Sequence, residues 1–204
     1  MRPELDDAEV QALGAGGFVM RDGLLGRERA LAIAEQAAAL PGFRAAGVAR
    51  EGHREKDIRG DELVWLDPAS APAALASLYE VLGTIGHDLD AAAYLGLGRF
   101  DMQVGRYPGG GARYLRHRDA FAGGESRRLT VIYYANPTWR PEDGGLLRLY
   151  TARGPVDVEP RLDRLIAFLS TELEHEVLPV HAPRLAISAW FYGRHPLPLP
   201  ARRA

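Results

Sequence analysis

Cysteine is absent from the 204-residue sequence, which excludes disulfides, Cys-ligated zinc and thiol catalysis. Net charge is nearly absent too. The 25 Lys and Arg are set against 27 Asp and Glu for a formal −2, so no basic surface points to nucleic acid or a membrane. Lysine occurs once, as Lys56, and the other basic residues are arginines. With the abundance of Ala and Gly, that bias is the one a GC-rich bacterial genome produces, and it carries no functional information. No run of about 18 apolar residues exists, and no basic start followed by an apolar stretch marks a signal peptide. The expected compartment is the cytoplasm. Repeats and low-complexity linkers are also missing. Hydrophobic residues make up 47% of the chain, enough for one domain over 1–204 with a real core and too few residues for two.

The organisation changes once, near residue 99. Before it, helical patterns dominate. The Ala-rich stretch LLGRERALAIAEQAAAL (24–40) stops at Pro41-Gly42, and Leu75, Leu78, Tyr79, Leu82, Ile85 and Leu89 recur at helical spacing. After it, short β-rich segments alternate with Gly and Pro. Strands are predicted at 100–106, 113–118, 127–135, 146–150, 164–169, 175–180 and 184–192. Such spacing predicts an α+β domain: an antiparallel jelly roll over 99–192, helical support over 1–98 packed on one sheet, and a short tail over 193–204.

Within YLRHRDAF (114–121), His117 and Asp119 stand two apart. A kinase catalytic loop would need Asn where Gly124 stands, and no Gly-rich phosphate loop or D-F-G accompanies it. Exposed loop residues would also explain the pair. In a strand, however, residues two apart share a face, so an imidazole and a carboxylate would converge on one point. A third ligand must come from elsewhere. Of six histidines, His87 on a helix, His195 in the tail and His181 read as surface residues. His175 opens HEVLPV after the polar turn STELE, where a strand running beside the first would bring it to the same place. Two His and one carboxylate form the facial triad of non-haem Fe(II) oxygenases.

Nine residues on, Arg184 opens RLAISAWFY. Alternation sets Arg184, Ala186, Ser188 and Trp190 on one face and Leu185, Ile187, Ala189 and Phe191 on the other. An arginine among apolar strand residues is costly without an anionic partner. That partner is either a local acid such as Glu176 or the far carboxylate of a dicarboxylate bound to the metal.

The segments KDIRGDELVW (56–65), RYPGGGARYLRHRD (106–119), VIYYAN (131–136), GGLLRLY (144–150), DVEPRLDRLIAF (157–168) and RLAISAWFY (184–192) resemble the 2-oxoglutarate- and Fe(II)-dependent oxygenases. Within these the likeness is to the prolyl 4-hydroxylases, especially the oxygen-sensing hydroxylases and their bacterial relatives. The pattern H-x-D…H…R is matched by His117, Asp119, His175 and Arg184, and the similarity covers roughly 54–192.

The resemblance implies a double-stranded β-helix core and the cosubstrates 2-oxoglutarate and O2, with ascorbate as an accessory reductant. It also implies roles by position. Tyr134, on the face of Ile132 and Thr130, matches a tyrosine joining the arginine on the cosubstrate carboxylate; Tyr107 matches one lining the iron pocket. Ile132, Leu147, Ser188 and Trp190 match its wall. Arg127 matches a residue at the substrate mouth, and Arg59 and Asp61 fall in a mobile loop (54–65) that closes over a bound peptide. Tyr107, Tyr134 and Leu147 are equally core residues by type, and Arg59 with Asp61 could be a surface pair. Asp119 favours hydroxylation, because related halogenases lack that carboxylate. Two segments depart from the family: AFAGGESRR (120–128), which borders the substrate entrance, and the Pro-rich tail RHPLPLPARRA. The expected activity is hydroxylation of a prolyl residue in a protein, with release of succinate and CO2. Rival readings are hydroxylation of a free amino acid or small metabolite and a non-catalytic sensing module. No nucleic-acid or membrane partner is expected, and the sequence is compatible with a monomer without fixing the oligomeric state.

Overall fold

The computed structural model describes residues 6–15, 17–46, 59–120 and 127–194. Its first helix, α1 (Asp7–Gly14), begins with a reciprocal cap: Asp6 accepts from the Glu9 amide at 2.8 Å and Glu9 accepts from the Asp6 amide at 3.0 Å. Strand β1 (Phe18–Asp22) follows, then α2 (Arg27–Ala39), which ends before Pro41, and the two-residue β2 (Arg44–Ala45). Strand β3 (Glu62–Leu66) leads to α3 (Ala73–Ala93), closed by Tyr94 in the left-handed region at φ 53°. The rest is β4 (Leu97–Tyr107), β5 (Ala112–His117), β6 (Arg127–Tyr134), β7 (Leu147–Thr151), β8 (Gly154–Val158), β9 (Arg164–Leu169), β10 (Glu174–Val180) and β11 (Arg184–Gly193).

The strands form two antiparallel sheets, ordered β1-β9-β6-β11-β4-β3-β2 and β5-β10-β7-β8. The central strands of the larger sheet are buried on both faces. One face carries Met102, Val104, Leu129, Val131, Tyr133, Leu165, Ala167, Ile187 and Ala189 against Ile33 and Ala37 of α2 and the Leu75, Leu78, Leu82, Ile85 and Leu89 stripe of α3. The other carries Tyr107, Ile132, Tyr134, Ile166, Phe168 and Ala186 against Leu147, Leu149, Val177 and Val180 of the smaller sheet. This is the double-stranded β-helix with helices on one sheet. Helix α3 approaches closely enough that a Cβ at Gly86 would lie 2.1 Å from the Phe191 ring, so only glycine fits there. Among the described residues no helix is long and apolar enough to cross a membrane.

Four expectations are corrected. Strand structure is not confined to residues after 99: β1, β2 and β3 precede it, and FVMRD and ELVWL are five residues each, too short for periodicity to separate strand from helix. Strand β8 was unforeseen because it opens on Gly154-Pro155, a turn signal that an edge strand tolerates. The 54–65 segment is not all loop, since Glu62–Leu66 pair with β4; residues 54–58 lie outside the described residues, as do His53, His195 and most of the 120–128 connection and of the tail. Finally, Asp119 does not share a strand with His117, because β5 ends at His117.

Asp163, a buried carboxylate at φ 63°, ties α2 to the sheet. It accepts from the Leu25 amide at 3.0 Å, the Gly26 amide at 2.8 Å and the Tyr133 hydroxyl at 2.9 Å. These amides open α2, where a negative charge is also favoured by the helix dipole. Asp163→Ala leaves the buried Tyr133 hydroxyl and two part-exposed amides without this acceptor and is expected to cost about 1–3 kcal/mol in urea unfolding, with Asp163→Asn milder. A loss below about 0.5 kcal/mol would mean that the tether contributes nothing.

Candidate metal centre

The centre begins with strand register. Strand β10 runs antiparallel to β5 with His175 directly opposite His117, and irregularities in the ladder fall beside the pair. His117 Nδ1 meets the Leu115 carbonyl at 2.7 Å and His175 Nδ1 meets that of Leu173 at 3.4 Å. These contacts place the N–H on Nδ1 in both rings and leave both Nε2 lone pairs facing inward. Asp119, in the bend beyond β5, lies 3.6 Å from His117 Nε2 through Oδ1 and 3.7 Å from His175 Nε2 through Oδ2. Both distances are too long for hydrogen bonds. Three donor atoms, all within 4.8 Å of one another, therefore surround one point.

Asp119 is locked in place. Its Oδ2 accepts from Thr130 Oγ1 at 2.8 Å and from Trp190 Nε1 at 2.9 Å, and Thr130 bonds in turn to Ser170 at 2.7 Å. Burial works against the Asp119 charge, but the neighbouring imidazoles and the Trp190 N–H outweigh it and hold the carboxyl well below the usual range. Burial pushes the His175 pKa down against the upward pull of Asp119. A neutral imidazole and an ionised carboxylate are the forms that bind a metal.

At the far end of the same pocket Arg184 is almost fully buried. Its Nε donates to the Gly145 carbonyl at 2.9 Å, and its guanidinium carbon lies 5.1 Å from the centroids of both Tyr107 and Tyr134. Among the described residues no carboxylate pairs with it. The local alternative fails, because Glu176 accepts from the Tyr150 hydroxyl at 2.6 Å. The Tyr134 hydroxyl is buried beside Arg184 and, among the described residues, has no partner at hydrogen-bond geometry. A buried cation beside an orphaned donor is costly unless an anion binds there.

Comparison with known proteins agrees with this geometry. The family model described as the 2OG-Fe(II) oxygenase superfamily matches residues 102–192. A prolyl-4-hydroxylase from Pseudomonas putida is 32% identical over 92% of this chain and 98% of its own, with a TM-score of 0.82. The chain belongs to the 2-oxoglutarate- and Fe(II)-dependent oxygenases, in their prolyl-hydroxylase-like group. A prolyl hydroxylase solved with a hypoxia-inducible-factor oxygen-degradation-domain peptide fragment, from Trichoplax adhaerens, is 29% identical over 90% of this chain and 87% of its own, at a TM-score of 0.83. Mouse Egl nine homolog 1 is 33% identical over 90% of this chain, which spans 48% of that relative; for the nematode hypoxia-inducible factor prolyl hydroxylase the span is 28%. The family uses Fe(II), 2-oxoglutarate and O2, and this site fits them. A His₂-carboxylate set suits Fe(II), and the buried Arg184–Tyr134 end suits a distal carboxylate.

The remaining expected residues fall around this pocket. Ile132, Leu147, Ser188 and Trp190 line it. Arg127 lies over the Trp190 ring with its guanidinium carbon 4.1 Å from the centroid. Arg59 and Asp61 also line it and are no surface pair: Asp61 is buried, and Arg59 grips both its oxygens at 2.6 and 2.9 Å. The sequence reading missed Tyr114, whose ring stacks on that of His117 at 3.7 Å and beneath Arg59 at 4.5 Å. It also missed Gln103 and Gly105, which line the pocket from β4. Counting back by twos from Tyr107 along FDMQVGRY would have found both. Trp190→Phe removes one of two donors to Asp119 and is expected to weaken Mn(II) binding about 10-fold or more, measured by EPR titration. Unchanged affinity would free the carboxylate from that support.

Proposed function

We propose that this chain hydroxylates a prolyl residue in a protein or peptide, using Fe(II) held by His117, Asp119 and His175 and 2-oxoglutarate anchored at Arg184. When bound, the iron and the keto acid supply the oxidation: one oxygen atom of O2 enters a C–H bond and the other enters succinate as CO2 leaves. The observation that carries the reading is the buried Arg184 guanidinium, which among the described residues has no carboxylate and lies beside a Tyr134 hydroxyl with no hydrogen-bond partner, in one pocket with three inward-facing metal-ligand atoms.

The protein's own work is positional. Arg184 and Tyr134 bind and orient the distal carboxylate through charge-assisted hydrogen bonds. Ile132, Leu147 and Val177 form apolar wall that excludes water and strengthens those bonds. Thr130 and Trp190 hold Asp119 in one rotamer, so the third ligand stays ionised and aimed. At the mouth, Arg127 lies over the Trp190 ring, and the exposed Trp65 ring, 5.7 Å away and tilted by 50° to it, offers an aromatic contact for an extended peptide. The kinship with prolyl hydroxylases, one of them solved with a peptide, supports a peptide substrate over a free metabolite.

Arg184→Ala is expected to weaken 2-oxoglutarate binding to the Mn(II)-loaded protein by at least about 100-fold in calorimetry, the loss of a buried charged pair being about 3 kcal/mol or more. Unchanged affinity would remove Arg184 from the site. Asp119→Ala and His175→Ala are expected to abolish substrate-dependent succinate release. Incubation with iron, 2-oxoglutarate and proline-containing peptides should give a +16 Da shift on proline. Turnover on free amino acids alone would transfer the activity to a small metabolite, and 2-oxoglutarate binding without any turnover would make the chain a sensor.

A further inference from the structure

Asp61 is the second carboxylate in the pocket, besides the metal-facing Asp119, and its placement raises a difficulty. It lies in the same cavity as Arg184, and a carboxylate is the group that guanidinium lacks. Asp61 Oδ2 would sit 3.7 Å from a Cβ at Gly105, and Gly105 is two residues from Tyr107, which faces Arg184. The Tyr107 hydroxyl feels all three groups. Burial and Asp61 raise its pKa, while Arg184 and Arg59 oppose them. An Asp61 charge left free in this low-dielectric space would draw Arg184 toward itself or repel an incoming dianion.

Arg59 prevents this. Its Nε and one terminal nitrogen take both Asp61 oxygens, in a bidentate pair whose side chains are 14% and 3% exposed. Burial disfavours the Arg59 charge, but its bonds to Asp61 more than offset that. The backbone around the pair is also fixed. Arg59 bridges to Tyr114 at the free edge of β5, the Gly60 amide donates to the Arg113 carbonyl at 2.9 Å, and the Asp61 carbonyl accepts from the Ala46 amide at 2.9 Å. A Cβ at Gly60 would meet Ala112 at 3.1 Å, so the strand edge leaves the segment little play.

We infer that Arg59 is a positioning residue for the cosubstrate: by occupying Asp61 it keeps Arg184 free for 2-oxoglutarate. The inference rests on the iron and 2-oxoglutarate reading above. It differs from a role in peptide contact, because it predicts an effect on 2-oxoglutarate binding with no substrate present. It also differs from mere support of the segment, because relieving the charge should repair the defect.

The test is calorimetric titration of 2-oxoglutarate into the Mn(II)-loaded protein. Four forms are compared: wild type, Arg184→Ala, Arg59→Gln, and Arg59→Gln combined with Asp61→Asn. Mn(II) affinity of each is measured separately by EPR. The expected result is at least about tenfold weaker binding for Arg59→Gln and recovery to within about threefold of wild type in the double variant, with Mn(II) affinity steady throughout. Wild-type affinity in Arg59→Gln would overturn the inference. So would a double variant as weak as the single one, or a parallel loss of Mn(II) affinity, either of which would make Arg59 a structural prop of the Tyr114–His117 stack. These failures are separate from that of the underlying reading, which falls if the wild type does not bind 2-oxoglutarate or if Arg184→Ala binds it normally; the inference then falls with it.

Discussion

Strand β11 serves two interiors at once, and the rest of the structure depends on its register. Ile187, Ala189 and Phe191 fill the layer beneath the helices, while Arg184, Ala186, Ser188 and Trp190 face the pocket. Side chains alternate with a period of two, so a slip of one residue would turn Arg184 into the helix-side layer and Phe191 toward the pocket. The same ladder sets the pocket's partners. Tyr107 of β4 lies opposite Arg184, Ile132 of β6 opposite Ser188, and Thr130 opposite Trp190, so the two donors to Asp119 come from one pair of facing residues. Apolar packing on the helix side thus fixes polar geometry on the pocket side.

That geometry separates charge along a short apolar channel. One end is anionic and rich in lone pairs, the other cationic and rich in donors, with Ile132, Leu147 and Val177 between them. A molecule with a chelating head and a carboxylate tail satisfies both ends, and its apolar middle meets the wall. No single residue has that specificity. It arises because burial makes each unpaired group expensive, so the ligand that pairs them all is strongly favoured.

Much of this was legible in the sequence, for physical reasons. Arg184 stood out because a charged residue inside an apolar alternating strand demands a partner, and the pattern His117, Asp119, His175 has few other uses in a cysteine-free chain. The jelly roll followed from seven β-rich segments and their turns. What was illegible depended on long-range contact. Strands β1 and β3 are edge-side additions of five residues, held by β9 and β4 rather than by their own pattern. Asp119 was rightly paired with His117 but by the wrong local geometry, since a bend and the hydrogen bonds from Thr130 and Trp190 aim it, not strand alternation. For Arg59 and Asp61 the sequence left a place in the pocket-closing segment and a plain surface pair equally open. Only the bridge from Arg59 to the edge of β5 brings them inside.

The bridge also divides the labour between the two halves of the chain. The family match spans 102–192 and contains His117, Asp119 and His175, which among the described residues form the candidate metal-ligand set, together with Arg184. Residues 59–66 lie outside that span, yet they cross from the edge of the small sheet into the large one: Arg59 meets Tyr114 of β5, and Leu63 of β3 pairs with Gly105 of β4. A strap anchored to both sheets contributes side chains to the pocket without altering the ladder that holds the ligands. Changes there would therefore alter the pocket lining while leaving the metal-ligand strands in place. Changes in β5, β10 or β11 would disturb the ligand set itself, since in those strands register and chemistry are inseparable.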